Sequence, residues 1–255
     1  MTRVGQLPIL TFHAIDERSD VCAFPPRVFR RGIERLRARG TRALGLAEIA
    51  DLVRRRRDLP DGSVAVTFDD GYRSVYDEAF PTLHEAGMTA TVFLTVGPPT
   101  ATGERLPSLE GRPMLSWGEI REMQRSGFTF GAHTLTHPDL TRLPTCEIEA
   151  EMRTSKAMIE DRLGTAVSCF AYPYGRYDER CRALARALFA SACSDALGLV
   201  SRRSDPWALE RVDAYYLRTE RRFDVALTRW LPHYLHVLDV PRRLRRRVTT
   251  ALARR

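Results

Sequence analysis

At 255 residues, with 44% hydrophobic and 28% charged side chains, the chain can bury one large core and has the balance of a soluble globular protein, which excludes a disordered or fibrous chain. The net charge of +8 rests almost wholly on arginine, since Lys156 is the single lysine, and we read that usage first as coding bias. Five cysteines (Cys22, Cys146, Cys169, Cys181, Cys193), odd in number and without a CxxC pair, argue against a disulfide framework or thiolate metal site and suit reduced thiols. No apolar run approaches the roughly eighteen residues of a membrane span, and Leu7 to Phe12 is too short for a secretory core. The sequence therefore predicts a cytoplasmic protein.

In chain order, Leu7 to Phe12 reads as a short buried strand ending at His13. Apolar residues at helical spacing (Val28, Ile33, Leu36) predict a helix from Arg27 to Arg39, stopped by Gly40, and a second helix runs from Leu46 to Arg57. After the Asp61-Gly62 turn, Val64 to Phe68 is a strand that delivers Asp69 and Asp70. Ser74 to Ala86 is predicted helical and Thr89 to Val96 a β-branched strand, with a polar loop from Gly97 to about Met114. Ser116 caps a helix reaching Arg125, and Glu119 completes a capping box. Phe128 to Ala132 is strand-like and ends at His133, and Leu143 to Leu163 suits a long helix. Val167 to Ala171 is a further strand, ending at Tyr172-Pro173-Tyr174-Gly175, before a helix from Asp178 to Leu188.

Strand, loop and helix alternate, with ionisable residues just past the strand ends. That order predicts a parallel α/β barrel or sheet whose carboxyl-end loops build the active site. His13, Asp69, Asp70, His133 and Pro173-Tyr174 all hold such positions. The domain is expected to span residues 1–219, followed by a basic, helical extension over 220–255.

His133 and His137, four apart, are expected on one side of a helical turn, where both imidazoles can reach one ion. Alone the spacing is a weak signal, and Asp69-Asp70-Gly71 alone could be only a turn. The conjunction is stronger. Neighbouring carboxylates on an extended segment point in opposite directions, so one aspartate can join the histidines while the other takes a proton from an activated water.

Three segments carry a resemblance. Thr67-Phe68-Asp69-Asp70-Gly71-Tyr72, His133-Thr134-Leu135-Thr136-His137-Pro138 and Ala171-Tyr172-Pro173-Tyr174-Gly175 resemble the successive motifs of the polysaccharide deacetylases (NodB-homology domain, carbohydrate esterase family 4). Ala90 to Leu94 and Ser116 to Ile120 are similar too, so the likeness covers roughly residues 7–218. It implies a distorted (β/α) barrel that hydrolyses an N-acyl group on an amino sugar. Asp69 would be the base, and Asp70, His133 and His137 would hold a divalent metal, zinc or alternatively cobalt or nickel. Tyr174 would offer its N–H to the oxyanion while Pro173 fixes that loop.

The chain also departs from the family. Ala171 replaces a usual arginine, and Arg211 is the candidate to orient Asp69 instead. The usual late Leu-x-His acid has no evident counterpart, since Leu231-Pro232-His233 falls in a predicted helix past the domain. Phe12-His13-Ala14-Ile15 resembles a branch that carries its acid on the first strand, so His13 is the candidate to protonate the leaving amine, against the plainer reading of a hydrogen-bonded strand-end histidine. His84 is expected in solvent. Trp117, Trp207 and Tyr72 could line a sugar groove or pack in the core.

Residues 240–255 carry seven arginines and no acid, with Val240, Leu244, Val248 and Leu252 four apart. A solvated basic helix ranks first for this tail, peripheral attachment to an anionic inner-membrane surface next, and nucleic acid, for which no motif appears, last. Three functional readings stay open: a glycan N-deacetylase, a deacylase or deformylase of a lipid-linked or small-molecule amide, and a non-catalytic carbohydrate-binding protein.

Overall fold

The computed structural model describes residues 5–98 and 103–239. Seven parallel strands close on themselves in chain order: β1 (Ile9–Phe12), β2 (Ser63–Phe68), β3 (Thr91–Leu94), β4 (Thr129–Ala132), β5 (Cys169–Ala171), β6 (Ser191–Leu197) and β7 (Leu209–Asp213). Closure is made by β7 on β1, with Val212 opposite Leu10, and by β1 on β2, with Ile9 opposite Ala65 and Thr11 opposite Thr67. The expected barrel is thus present.

Side-chain alternation along each strand sorts residues between two cores. Leu10, Phe12, Val64, Val66, Phe68, Val92, Phe130, Phe170 and Val212 face outward into one cluster. Against them pack α1 (Pro26–Ala38), α3 (Phe80–Glu85), α4 (Trp117–Arg125) and α5 (Thr145–Leu163), through Phe29, Leu83, Ile120, Met152 and others. Their partners on alternate positions, Ile9, Ala65, Phe93, Cys169, Ala171, Cys193 and Leu209, fill the barrel interior together with Leu46, Ile49 and Val53 of α2 (Leu46–Arg54). Gly131 belongs to this inner layer for a steric reason: a Cβ there would stand 2.5 Å from the Phe93 ring.

The same alternation fixes the direction of the residues just beyond the strands. Thr11 and Thr67 face inward and share a hydrogen bond of 3.0 Å, so the next inward positions are His13 and Asp69. His133 follows Gly131 inward, and Arg211 follows Leu209. The polar residues therefore occupy the carboxyl-end mouth, above a layer of threonines and a floor of apolar side chains.

Several sequence-based expectations need revision. The helix predicted over Ser74 to Ala86 is a π-helical turn (Val75–Ala79) leading into α3, because Pro81 has no amide to continue the regular ladder. Strands β6 and β7 escaped the sequence reading altogether. The Ser116–Glu119 capping box is present as predicted, with Glu119 N–H donating to Ser116 Oγ at 3.2 Å. Among the described residues, α6 (Glu179–Leu188) is followed later by α7 (Glu220–Ala226) and a further helical stretch over residues 231–239. Phe223, Leu231 and Leu235 are buried in the outer cluster, and Arg35 of α1 bonds Glu220 and Asp224. This part of the predicted extension therefore shares the barrel's core. The basic tail, residues 240–255, lies outside the described residues. Among those described, no helix is long and apolar enough to cross a membrane.

Candidate active site

Past β2 the backbone turns sharply. Asp69 N–H donates to Phe12 O (2.9 Å), which still extends the ladder, but Asp70 adopts φ 74° and Gly71 φ 85°. The pair is therefore not extended as the sequence suggested. A left-handed residue, a conformation that aspartate tolerates better than most, separates the two carboxylates. Asp69 turns to Arg211 and His13, Asp70 to the two histidines.

Asp69 is 3% exposed and Arg211 6%, and they meet in a two-pronged ion pair: both guanidinium Nη atoms donate to the two carboxylate oxygens at 2.8 Å. Arg211 Nε donates to Ser194 O at 2.9 Å, which locks the fork in place. Burial alone would raise the Asp69 pKa, but the charge and hydrogen bonds of Arg211 outweigh it and hold the carboxyl well below the usual carboxylate range. Arg211, proposed from sequence as the orienting residue, does reach Asp69. Nε2 of His13 stands 3.9 Å from Asp69 Oδ2, too far for a hydrogen bond but within coulombic reach.

The His133 to His137 segment is a loop, not the helical turn expected. Thr134 (φ 68°) and His137 (φ 59°) are both left-handed, and Thr134 Oγ1 accepts from His137 N–H at 3.0 Å. The loop nevertheless brings the imidazoles together. Nε2 of His133 and of His137 lie 3.5 and 3.4 Å from Asp70 Oδ1. The ligand atoms of the three residues fall within 4.8 Å of one another, so this trio could hold a metal ion.

Two features test that fit. Asp70 Oδ1 is buried and has no hydrogen-bond partner, which is costly unless something else satisfies it. Nδ1 of His133 lies 2.7 Å from Ala171 O, a carbonyl that only accepts, so the ring proton sits on Nδ1 and the Nε2 lone pair faces Asp70. Burial pushes the His133 pKa down to about 4, keeping the ring neutral as a ligand must be. The donor set suits a divalent ion.

Tyr174 has φ 57° within a short 3₁₀ turn (Pro173–Gly175), in whose first turn amides lack an intrahelical acceptor. Its ring lies 4.7 Å from the His137 ring, and the side chain is 58% exposed, so it stands at the rim. Gly175 beneath it admits no side chain, since a Cβ would come within 2.1 Å of Asp195 Cβ. A cleft of about 480 Å³ takes in His13, Asp69, Asp70, His133, His137, Tyr174 and Arg211.

The cleft also includes Cys22, Glu110, Asp213, Tyr215 and Tyr216, which sequence reasoning missed. Had β7 been recognised, its carboxyl end would have pointed to Asp213, Tyr215 and Tyr216. Burial, with Glu110 and Asp70 nearby, pushes the Cys22 thiol up to about 12, so it stays protonated. Tyr72 and Trp117 prove to be packing residues, 1% and 3% exposed. Trp207 donates its indole N–H to Phe189 O and does not line the cleft, and neither does His84 or His233.

A closed parallel barrel with these groups at its carboxyl-end mouth defines an α/β-barrel hydrolase. The polysaccharide deacetylase family model matches residues 56–191, more than half of the chain. The chain belongs to the polysaccharide deacetylase family, whose members hydrolyse amide bonds. It is 27% identical over 209 residues to YxkH of Bacillus subtilis, a protein provisionally named a polysaccharide deacetylase, covering 82% of this chain and 71% of that one. With the poly-β-1,6-N-acetyl-D-glucosamine N-deacetylase of Staphylococcus aureus it shares 23% identity over 212 residues, 79% of this chain and 70% of the relative. Among solved structures, IcaB of Ammonifex degensii superposes with a TM-score of 0.74 at 26% identity, covering 89% of this chain and 97% of that one.

Proposed function

We propose that the protein removes N-acetyl groups from N-acetylglucosamine residues of a glycan. The observation that carries this reading is the pairing, in one cleft, of an ionised buried Asp69 with a neighbouring Asp70 whose Oδ1 lacks a hydrogen bond and faces two imidazoles. The name of the Staphylococcus aureus relative supports the choice of amino sugar.

Asp70, His133 and His137 would hold a divalent ion, zinc in the first place with cobalt or nickel as substitutes, which supplies Lewis acidity to a water and to the amide carbonyl. Asp69 accepts the proton of the attacking water, its carboxylate aimed by the Arg211 fork. As the tetrahedral centre forms, Tyr174 N–H donates to the developing oxyanion. His13 then gives a proton to the departing nitrogen, so that acetate and the free amine leave. His13 and Asp69 are 3.9 Å apart at the cleft floor, so acid and base serve one substrate position.

The test is acetate release from N-acetylglucosamine oligomers by the zinc-loaded full chain. Asp69→Asn should keep zinc and lose about 10² to 10⁴ in turnover, and His13→Ala should fall by a similar range. Full activity in Asp69→Asn with zinc bound would refute the base. No acetate from these oligomers, with release of formate or a longer acid from N-formyl or longer N-acyl amides offered in their place, would move the substrate to another amide.

A further inference from the structure

The two imidazoles of the candidate metal centre are held by different parts of the fold. His133 extends β4, and Ala171 of β5 fixes its ring through Nδ1. His137 has no such strand beneath it; its position depends on the path of the loop between the two histidines. That path is set by α5. Glu151 Oε2 accepts from the consecutive amides of Leu135 (2.8 Å) and Thr136 (3.0 Å), and Oε1 accepts from Thr136 Oγ1 (2.7 Å). All three bonds reach the residues lying between the ligands.

Glu151 is well placed for such a task. Its helix neighbours Ile148 and Met152 are both buried, so its backbone is anchored to the barrel. Both of its carboxylate oxygens accept from the loop. The segment it grips is one in which Thr134 and His137 hold positive φ, a conformation that needs external support in residues other than glycine. Carboxylates and carbonyls that fix the groups around a metal typically govern its affinity by ten- to a hundredfold.

We propose that Glu151 is a positioning residue that presets the distance between His133 and His137 and thereby sets the affinity for the divalent ion. This rests on the reading that Asp70, His133 and His137 hold that ion. A glutamine can reproduce the whole arrangement: its carbonyl oxygen takes both amides and its NH₂ donates to Thr136 Oγ1. The effect is therefore one of geometry, not of charge.

The experiment is zinc affinity of the full chain, measured by competition with a chromophoric chelator, for wild type, Glu151→Ala and Glu151→Gln. Melting of the chelator-stripped proteins is recorded beside it. Glu151→Ala should bind zinc at least about tenfold more weakly, and Glu151→Gln should stay within about threefold of wild type. Unchanged affinity in Glu151→Ala, however far its melting temperature falls, would overturn the proposal, because a merely structural role moves only the melt. Equal losses in both variants would overturn it as well, since charge would then be the cause. Wild-type protein that binds zinc without releasing acetate would sink the deacetylase reading and leave this test intact. A wild type that binds no zinc would sink both.

Discussion

Replacing Arg211 by methionine keeps most of the volume of the side chain and removes its charge, leaving Asp69 buried and without either guanidinium bond. Removing one partner of a buried ion pair costs about 3–5 kcal/mol, more than the pair itself is worth, because the remaining charge loses its solvation substitute. That is a large share of the roughly 5–15 kcal/mol by which a domain is typically stable. Urea denaturation of the metal-stripped protein should show this loss. Asp69→Asn with Arg211→Met should recover part of it, as the double variant strands no charge, and the coupling should amount to more than about 1 kcal/mol. Turnover distinguishes the roles: Arg211→Met should lower kcat by about 10² because Asp69 is no longer aimed, and the double variant should not recover it. Lysine offers a point charge without the planar fork, so Arg211→Lys should fall between. Arg211→Met with stability within about 1 kcal/mol and kcat within about threefold of wild type would refute the claim that this pair holds the base.

Two further variants probe the walls of the cleft. Arg112, 5% exposed, donates to Asp16 and Asp20, lies 3.6 Å from Glu110 and stacks over Tyr72, so it ties the loop after β1 and the loop before α4 to the turn carrying the aspartates. Arg112→Met should cost about 2 kcal/mol, less than a fully buried pair because Asp16 and Asp20 can rehydrate, and should raise KM for oligomers while leaving zinc affinity within about threefold. Gly175→Ala should lower kcat at least about tenfold with zinc affinity retained, since the clash with Asp195 displaces the Tyr174 amide; steady-state kinetics with a parallel zinc titration checks both.

What the sequence disclosed depended on how each strand is built. β2 and β3 are short runs of apolar, β-branched and small side chains, and β2 leads straight into Asp69-Asp70, so composition finds them. Strand β6, Ser-Ala-Cys-Ser-Asp-Ala-Leu, is small and polar, because Phe93 already fills the interior opposite; β7, Leu-Glu-Arg-Val-Asp, carries three charged side chains in five, among them the inward Arg211. Neither pattern resembles a buried strand. The candidate metal trio was legible by residue type, but its geometry was not. A spacing of four suits a helix, and only the left-handed Thr134 and His137, stabilised by Thr134 Oγ1 and Glu151, reveal the loop. The opposed directions of Asp69 and Asp70 were anticipated for the wrong reason, since a positive φ, not strand alternation, produces them.

The absence of an arginine at Ala171 looked like a defect in the site, and the barrel shows why it need not be one. Ala171 of β5 and Arg211 of β7 both face the interior, where Ala171 packs with Cys193 and Phe93, and the Arg211 guanidinium passes over the same Phe93 ring at 6.0 Å. What Asp69 requires is a planar cation at its own height in the barrel, and any strand with an inward position there can supply it. Chain order is immaterial to that requirement; height and direction are not. Ala171 keeps the one contribution its backbone must make, the carbonyl that fixes His133, and its small side chain leaves space in the interior. The neighbouring strand β6 adds the Ser194 carbonyl that holds Arg211 Nε. The orientation of Asp69 is thus a property of the closed barrel, assembled from β1, β2, β6 and β7, which is why no single motif in the sequence contained it.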